Sequence, residues 1–433
     1  MTPQSAFFVL ARIEDGRADE LRRLLETMNA APGQADPLNG VVTFADYETL
    51  HFARFCIIDD KTTGDVSAYG LEPIRYAPYL VFLGDVDGDA RRFLDDVATR
   101  SERGLRSIFA SCSDFGPTTD LRTWMRRHSV RAATTYVNWR GRTLRRLREE
   151  AALCAAVERY LGEHAAILGD LPPQQLRMAL RHFLSGEIAA ARLAMTPDAP
   201  TNLGWLAKDV LYMLAVPLCL IIASPILLIV GAIVLLSIRA MERTDPQMCP
   251  RVDASWNEAL ARLEDRDVTN AFTALGSLKP GLVRRWTAAF VLWFLDYAMR
   301  YAFARGRLAR VRTIHFARWV FLDGKRRLLF ASNYDGSLES YMDDFINKAG
   351  FGLNLVFSNG IGYPKTRWLV AAGSADEQKF KSFLRRHQQP TEVWYNAHPG
   401  LTAVDLERNM GIREGLEAPV LSDRDASRWA ALL

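Results

Sequence analysis

His51-Phe52-Ala53-Arg54-Phe55 returns late in the chain as His315-Phe316-Ala317-Arg318-Trp319. The echo continues: Tyr79-Leu80-Val81-Phe82-Leu83-Gly84-Asp85-Val86-Asp87-Gly88 aligns with Arg327-Leu328-Leu329-Phe330-Ala331-Ser332-Asn333-Tyr334-Asp335-Gly336. Asp95-Asp96 then falls on Asp343-Asp344, and Gly104-Leu105 on Gly352-Leu353, without a gap. After a shift the match resumes with Arg127-His128 on Arg386-His387, Tyr136 on Tyr395 and Gly141 on Gly400. Blocks kept in one order indicate an internal duplication, which governs every later assignment.

Each copy has the same local reading. The HFAR block is a short aromatic and β-branched run with strand character. A second strand follows and stops at Asp-Gly, a turn signal. Next comes a helix whose apolar positions repeat at helical spacing, Phe93, Leu94 and Val97 in one copy and Leu338, Tyr341 and Phe345 in the other. A further helix (120–128 or 377–387) leads to a last strand (134–139 or 391–397). The first copy adds a strand at Phe7–Ile13 and a helix at Ala18–Met28; the second has instead a strand at Trp368–Ala372. Short sheets alternating with helices predict an α+β fold of tandem duplicated ferredoxin-like units, able to pack sheet to sheet as a dimeric α/β barrel. The expected units are 1–145 and 313–433, around a helical, membrane-associating insert at 146–312.

Within that insert, Val210–Ile238 is a run of 29 residues without a charge. As one helix it would be about 44 Å long, against roughly 30 Å of hydrocarbon. Pro217 and Pro225 interrupt it, so a re-entrant hairpin is one expectation. Another pairs the run with a second apolar helix at 286–304, where Asp296 and Arg300 stand one helical turn apart. A lone span or a buried core helix stays open for the long run, and an interfacial amphipathic helix for 286–304. Lys208 before the run and Arg239, Arg243 and Arg251 after it favour both ends in the cytoplasm. Paired copies must also lie on one side of the bilayer. The expected location is the cytoplasmic (inner) membrane, with the soluble units facing the cytoplasm and membrane lipid as a partner.

Composition narrows the rest. Hydrophobic residues make up 49% and charged residues 24% of the 433, which excludes a disordered chain. The formal charge of +4 is too balanced for a nucleic-acid binder. Basic residues crowd one stretch instead (Arg284, Arg285, Arg300, Arg305, Arg307, Arg310 and Arg312), beside apolar sequence suited to lipid headgroups. Five scattered cysteines without CxxC spacing read as reduced thiols, and no metal site is expected. P-loop, dinucleotide-binding, HExxH and GxSxG patterns are absent.

Arg54 and Arg318 stand mid-strand among apolar neighbours and each needs a carboxylate; Asp87 and Asp335 are the expected partners, with Asp96 and Asp344 next. The second copy is richer in polar chemistry. Its cluster His315, Arg318, Asn333, Tyr334, Asp335, Asn396 and His398 is the candidate site, with a hydrogen-bonded core network as the alternative.

The block Ser332-Asn333-Tyr334-Asp335-Gly336-Ser337, followed by Glu339-Ser340-Tyr341 and Asp343-Asp344-Phe345-Ile346, resembles a poorly characterised group of bacterial membrane-associated proteins. Where that group carries Gln and His after Asn270, this chain has Ala271 and Ala274. More distantly, the duplicated plan and Asn333-Tyr334-Asp335-Gly336 resemble the dye-decolourising haem peroxidases and their GxxDG motif, with Asn333 in place of Gly. That resemblance implies haem as a cofactor and Asp335 with Arg318 as a distal pair. Two functions are therefore expected as alternatives: redox or lipid-directed chemistry in the second copy, or a non-catalytic module for a lipid, an apolar small molecule or a protein.

Overall fold

The computed structural model describes residues 2–303, 308 and 310–433. The basic residues Arg305 and Arg307, and Ala304 at the end of the second apolar segment, lie outside the described residues. The strands are β1 (Gln4–Arg12), β2 (Asn29–Ala31), β3 (Gln34–Ala35), β4 (Leu50–Ile58), β5 (Tyr79–Asp87), β6 (Thr134–Val137), β7 (Thr269–Ser277), β8 (Ile314–Leu322), β9 (Arg327–Asp335), β10 (Thr366–Arg367), β11 (Ala371–Ala372) and β12 (Val393–Asn396). Two main sheets result, ordered β1-β5-β4-β12-β3-β2 and β6-β8-β9-β7. The chain is a mixed α+β protein, with helices over both sheets and two long apolar helices besides.

Every residue of β4 and β9 is buried, because each strand is covered on both faces. Alternate side chains serve different layers. Ala53, Phe55 and Ile57 join the core under the helices at Ala18–Glu26 and Ala90–Arg100, whereas Cys56 and Ile58 meet Val320, Leu322 and Leu329 between the sheets. The sheets therefore pack face to face.

Two short strands cross between halves of the chain. β6 lies on β8 with Thr135 opposite Arg318 and Tyr136 opposite Ala317. β12 lies on β4 with Trp394 opposite Arg54 and Tyr395 opposite Ala53. The outer pairings also correspond: β1 runs along β5 from Gln4 opposite Asp87, and β7 along β9 from Thr269 opposite Asp335.

The strand at β7 falls inside the expected insert 146–312, and its polar content (Thr269, Asn270, Thr273) hid it. Of the expected strand Trp368–Ala372, only Ala371–Ala372 is strand, β11 paired with β10, and 368–370 form the turn between them. Trp368 and Leu369 take positive φ, held because the Glu242 carboxylate accepts both their amides at 2.8 Å. The helices Leu144–Glu163 and Pro173–Ala189, expected in the membrane-associating insert, instead form a helical cluster with Ala403–Glu417 and Asp423–Ala430, packed through Leu153, Leu180, Ile412 and Trp429.

The apolar run forms two helices, Leu203–Ile222 and Ser224–Thr244, each long and apolar enough to cross a membrane. They exceed the uncharged run because each continues past its flanking charges into the body. Asp209 accepts from Arg300 Nε at 2.8 Å, and Asp245 from Arg284 Nη2 at 2.8 Å. Arg284 and Arg300 are about 24 Å apart along their helix, whereas a straight helix from Asp209 to Asp245 would run roughly 54 Å. The chain therefore folds back at Ala223. Val216 and Ile238 are buried, and the tip between them is not.

The second apolar segment packs on the body. Its helix, Leu282–Tyr301, buries Ala288, Val291 and Leu292 against the second sheet and exposes Trp286, Phe290, Trp293 and Phe294. Asp296 accepts from Thr135 N at 3.1 Å, leaving Arg300 to Asp209. The basic stretch is dispersed too: Arg284 is buried on Asp245, and Arg312 reaches Glu407.

Candidate functional site

The sheet pleat divides the predicted cluster. On β9, Asn333 and Asp335 face the other sheet, while Tyr334 faces the helices and stacks on Tyr341 with centroids 4.2 Å apart. Burial raises the Tyr334 phenol well above its usual pKa. Tyr334 is thus core, away from the histidines.

Arg318 does not meet Asp335, nor Arg54 Asp87. Each arginine crosses to the opposite sheet. Arg318 donates to the Phe7 and Gly84 carbonyls at 2.9 and 3.0 Å and to Asp85. Arg54 donates to the Phe272 and Ser332 carbonyls at 2.9 and 2.8 Å, to Thr273 Oγ1 at 3.0 Å and to Asn333 Oδ1. Asn333 Nδ2 in turn points at Asp85 Oδ2, 3.4 Å away. The result is a buried chain, Arg54–Asn333–Asp85–Arg318, with two guanidiniums and one carboxylate. Burial lowers Arg54 to about 10, lowers Arg318, and raises Asp85 against the pull of Arg318.

The aspartates at the strand ends do different work. Asp335 Oδ1 lies 2.6 Å from His315 Nε2 and accepts from Thr269 Oγ1 at 2.9 Å; its Oδ2 accepts from Ala403 N at 2.7 Å. Asp87 repeats this with His51 Nε2 at 2.9 Å, Gln4 Nε2 at 3.3 Å and Leu144 N at 2.8 Å. Ala403 and Leu144 each open a helix, so both carboxylates also face a helix N-terminus, where negative charge is favoured. The histidines reach them through bulges in β4 and β8, which shift register between Leu50 and Phe52 and between Ile314 and Phe316. Asp85, Thr269 and Gln4 were missed in the sequence because their partners lie far away in the chain.

His398 is buried beside the others, its ring centroid 5.7 Å from His315 and 6.5 Å from His51. Burial first, then these two rings, hold its pKa well below the usual range. Asn396 Oδ1 accepts the His398 amide at 3.0 Å. Between the histidines, Trp139 and Arg142 is a cavity of about 20 Å³, room for one water. His398 Nδ1, Trp139 Nε1 and Arg142 Nη1 have no protein partner there.

A haem does not fit this arrangement. Arg318 and Asp335 face different partners, Asp335 is fully engaged, and the neighbouring cavity is far smaller than a macrocycle. Among the described residues, no group of three His, Cys, Asp or Glu side chains is placed to hold a metal ion. The cluster fixes two helix N-termini and encloses a cavity the size of one water. No family model, curated protein or solved structure matches the chain.

Proposed function

We propose that the protein is a membrane-anchored, non-catalytic binding module at the cytoplasmic face, built from two duplicated ferredoxin-like units that close into one barrel. Matching registers support the duplication: Gln4–Asp87 with Thr269–Asp335, and Arg54–Trp394 with Arg318–Thr135. So does the shared His–Asp–helix arrangement. The split of Arg318 from Asp335 favours binding over peroxidase-like chemistry in the second copy.

The observation that carries the membrane reading is the exposed apolar helix pair, rooted at one end in a partly buried ion pair, Asp209–Arg300, and at the other in a buried one, Asp245–Arg284. None of the residues between Val216 and Ile238 is buried, and their arms reach roughly 10 and 20 Å to the turn at Ala223. That depth enters one leaflet of a bilayer whose hydrocarbon is about 30 Å thick. The aromatic row Trp286, Phe290, Trp293 and Phe294 suits the interface beside it.

The test is a carbonate wash combined with cysteine labelling. The intact chain should stay with membranes, and deletion of 210–238 should release it. In sealed inverted vesicles, exposed Cys249 should react with an impermeant maleimide, while Cys219 near the tip should not react from either side. Full solubility of the intact chain overturns the reading; labelling of Cys219 from the far side replaces the re-entrant hairpin with two spans.

A further inference from the structure

A separate cleft of about 1380 Å³ opens between the helix Ala18–Glu26, the end of β4 and the segment running from Pro250 to Leu263. Its walls are largely small and apolar, Ala31, Pro32, Ile57, Val252 and Leu263 among them. Glu392, on the approach to β12, lines it and is only 4% exposed in its side chain. Glu392 Oε2 accepts from Ile57 N at 2.8 Å, but Oε1 has no hydrogen-bond partner, and Arg22 Nε stands 3.8 Å off. Two further lining groups are also unpartnered, Trp256 Nε1 and Asn29 Oδ1. Leaving three buried polar atoms unsatisfied around one cleft is costly unless something supplies their bonds.

We infer that this cleft binds a small amphiphile, an apolar body with a neutral head oxygen that accepts a hydrogen bond, and that Glu392 is the donor that reads the head. Trp256 Nε1 offers a second donor and Asn29 Oδ1 an acceptor for a head N–H. An anionic head is disfavoured because three of the four lining cations are already held by carboxylates, Arg22 by Asp19 at 2.6 Å, Arg386 by Asp65 at 3.0 Å, and Lys61 by Asp59, while the fourth, Arg251, is exposed to solvent. Burial also lifts the Glu392 carboxyl to about 8, against the opposing pull of Arg22, so it carries its proton at neutral pH. Buried Cys56 is the other titratable neighbour, and burial keeps it a thiol, up at about 11. The inference stands independently of the membrane reading.

Octanamide is the probe, titrated calorimetrically into the full chain in phosphatidylcholine nanodiscs against empty discs. Affinity should fall about tenfold between pH 6.5 and 9.5 as Glu392 loses its proton, the worth of one charge-sensitive bond. Glu392→Gln keeps both the Ile57 bond and a donor, so it should bind within about threefold of wild type and show no pH dependence. Glu392→Leu should lose about tenfold, and Trp256→Phe several-fold. If Glu392→Leu fails to fold, the flat pH profile of the Gln variant decides. Displacement of octanamide by added lysophosphatidylcholine assigns a membrane lipid as the natural source; indifference to it assigns a soluble amphiphile, and both support the site. No octanamide binding, a pH-independent wild type, or tighter binding of octylammonium overturns the inference.

Discussion

Replacing Arg318 by methionine interrogates the charge chain between the sheets. The guanidinium serves buried Asp85 and two strand carbonyls. Methionine keeps much of the volume and leaves Asp85 with Asn333 Nδ2 at 3.4 Å. Removing one partner of a buried pair costs about 3–5 kcal/mol. Arg54→Met breaks four bonds as well, but to neutral acceptors, and it removes a guanidinium that burial has already weakened to about 10. Its cost should be nearer 1–2 kcal/mol.

The two losses should also differ in their pH dependence. Asp85 is already raised in the folded chain, with Arg318 opposing the rise. Without Arg318 the folded pKa climbs further, so the folded state binds the proton more tightly than the unfolded one. The penalty is therefore absent below the unfolded value of about 3.9, and it grows with pH until the folded pKa is passed. Thermal unfolding should show Arg318→Met losing about 10 °C at pH 7.5, on roughly 2–4 °C per kcal/mol, and about 3 °C at pH 4.5. Arg54→Met should lose a few degrees at both. Equal losses at the two arginines, independent of pH, would refute the assignment of Asp85 as the only carboxylate of this chain.

Asp335→Ala and Asp87→Ala each leave a histidine and a helix-opening amide without an acceptor, and chemical denaturation should report about 2–4 kcal/mol for both. Asp335 should cost more, since its bonds of 2.6 and 2.9 Å replace 2.9 and 3.3 Å at Asp87; an unchanged midpoint for Asp335→Ala contradicts the structural role. His398 has a folded pKa well below normal, so wild-type stability present above about pH 6.5 should fall as the pH drops to 5. His387, also lowered by burial, adds to that slope and Glu392, raised to about 8, opposes it, so the readout is the stability of the wild type relative to His398→Phe, which should fall as the pH drops across this range. Asp245→Asn weakens the countercharge for Lys279 and Arg284, and trypsin should then cut sooner after Arg251 than in the wild type.

Local pattern carried part of the fold. The helix at Glu377–His387, with Phe380, Phe383 and Leu384 buried, follows from apolar spacing alone. So do β4 and β8. β7 escaped because Thr269, Asn270 and Thr273 are polar, and only partners more than sixty residues away make them strand: Asp335 for Thr269, Arg54 for Thr273. Arg318 was recognisable as a buried charge, but its partner was not. Strand alternation says that Arg318 and Asp335 point between the sheets; it does not say which opposite strand they meet, because that depends on sheet packing. The bulges at His51 and His315 break alternation locally, and no residue in either stretch announces them.

The apolar helix pair and the exchanged strands meet at one helix. Leu282–Tyr301 holds Asp209 through Arg300 and Asp245 through Arg284, so it anchors both roots of the apolar helix pair. Its inner face rests on β6, where Thr134 Oγ1 donates to the Leu292 carbonyl at 2.6 Å and Thr135 N to Asp296. β6 comes from the first half of the chain yet completes the second sheet, and β12 does the reverse. Neither sheet closes without the other half, and the helix that carries the arm is seated on the strand that crosses. A force on the arm therefore loads the seam between the halves. Glu242 ties the same arm to the β10–β11 turn, and the segment after Asp245 forms a wall of the Glu392 cleft. Residues 246–249 are thus the covalent path from the helix pair to the wall of that cleft.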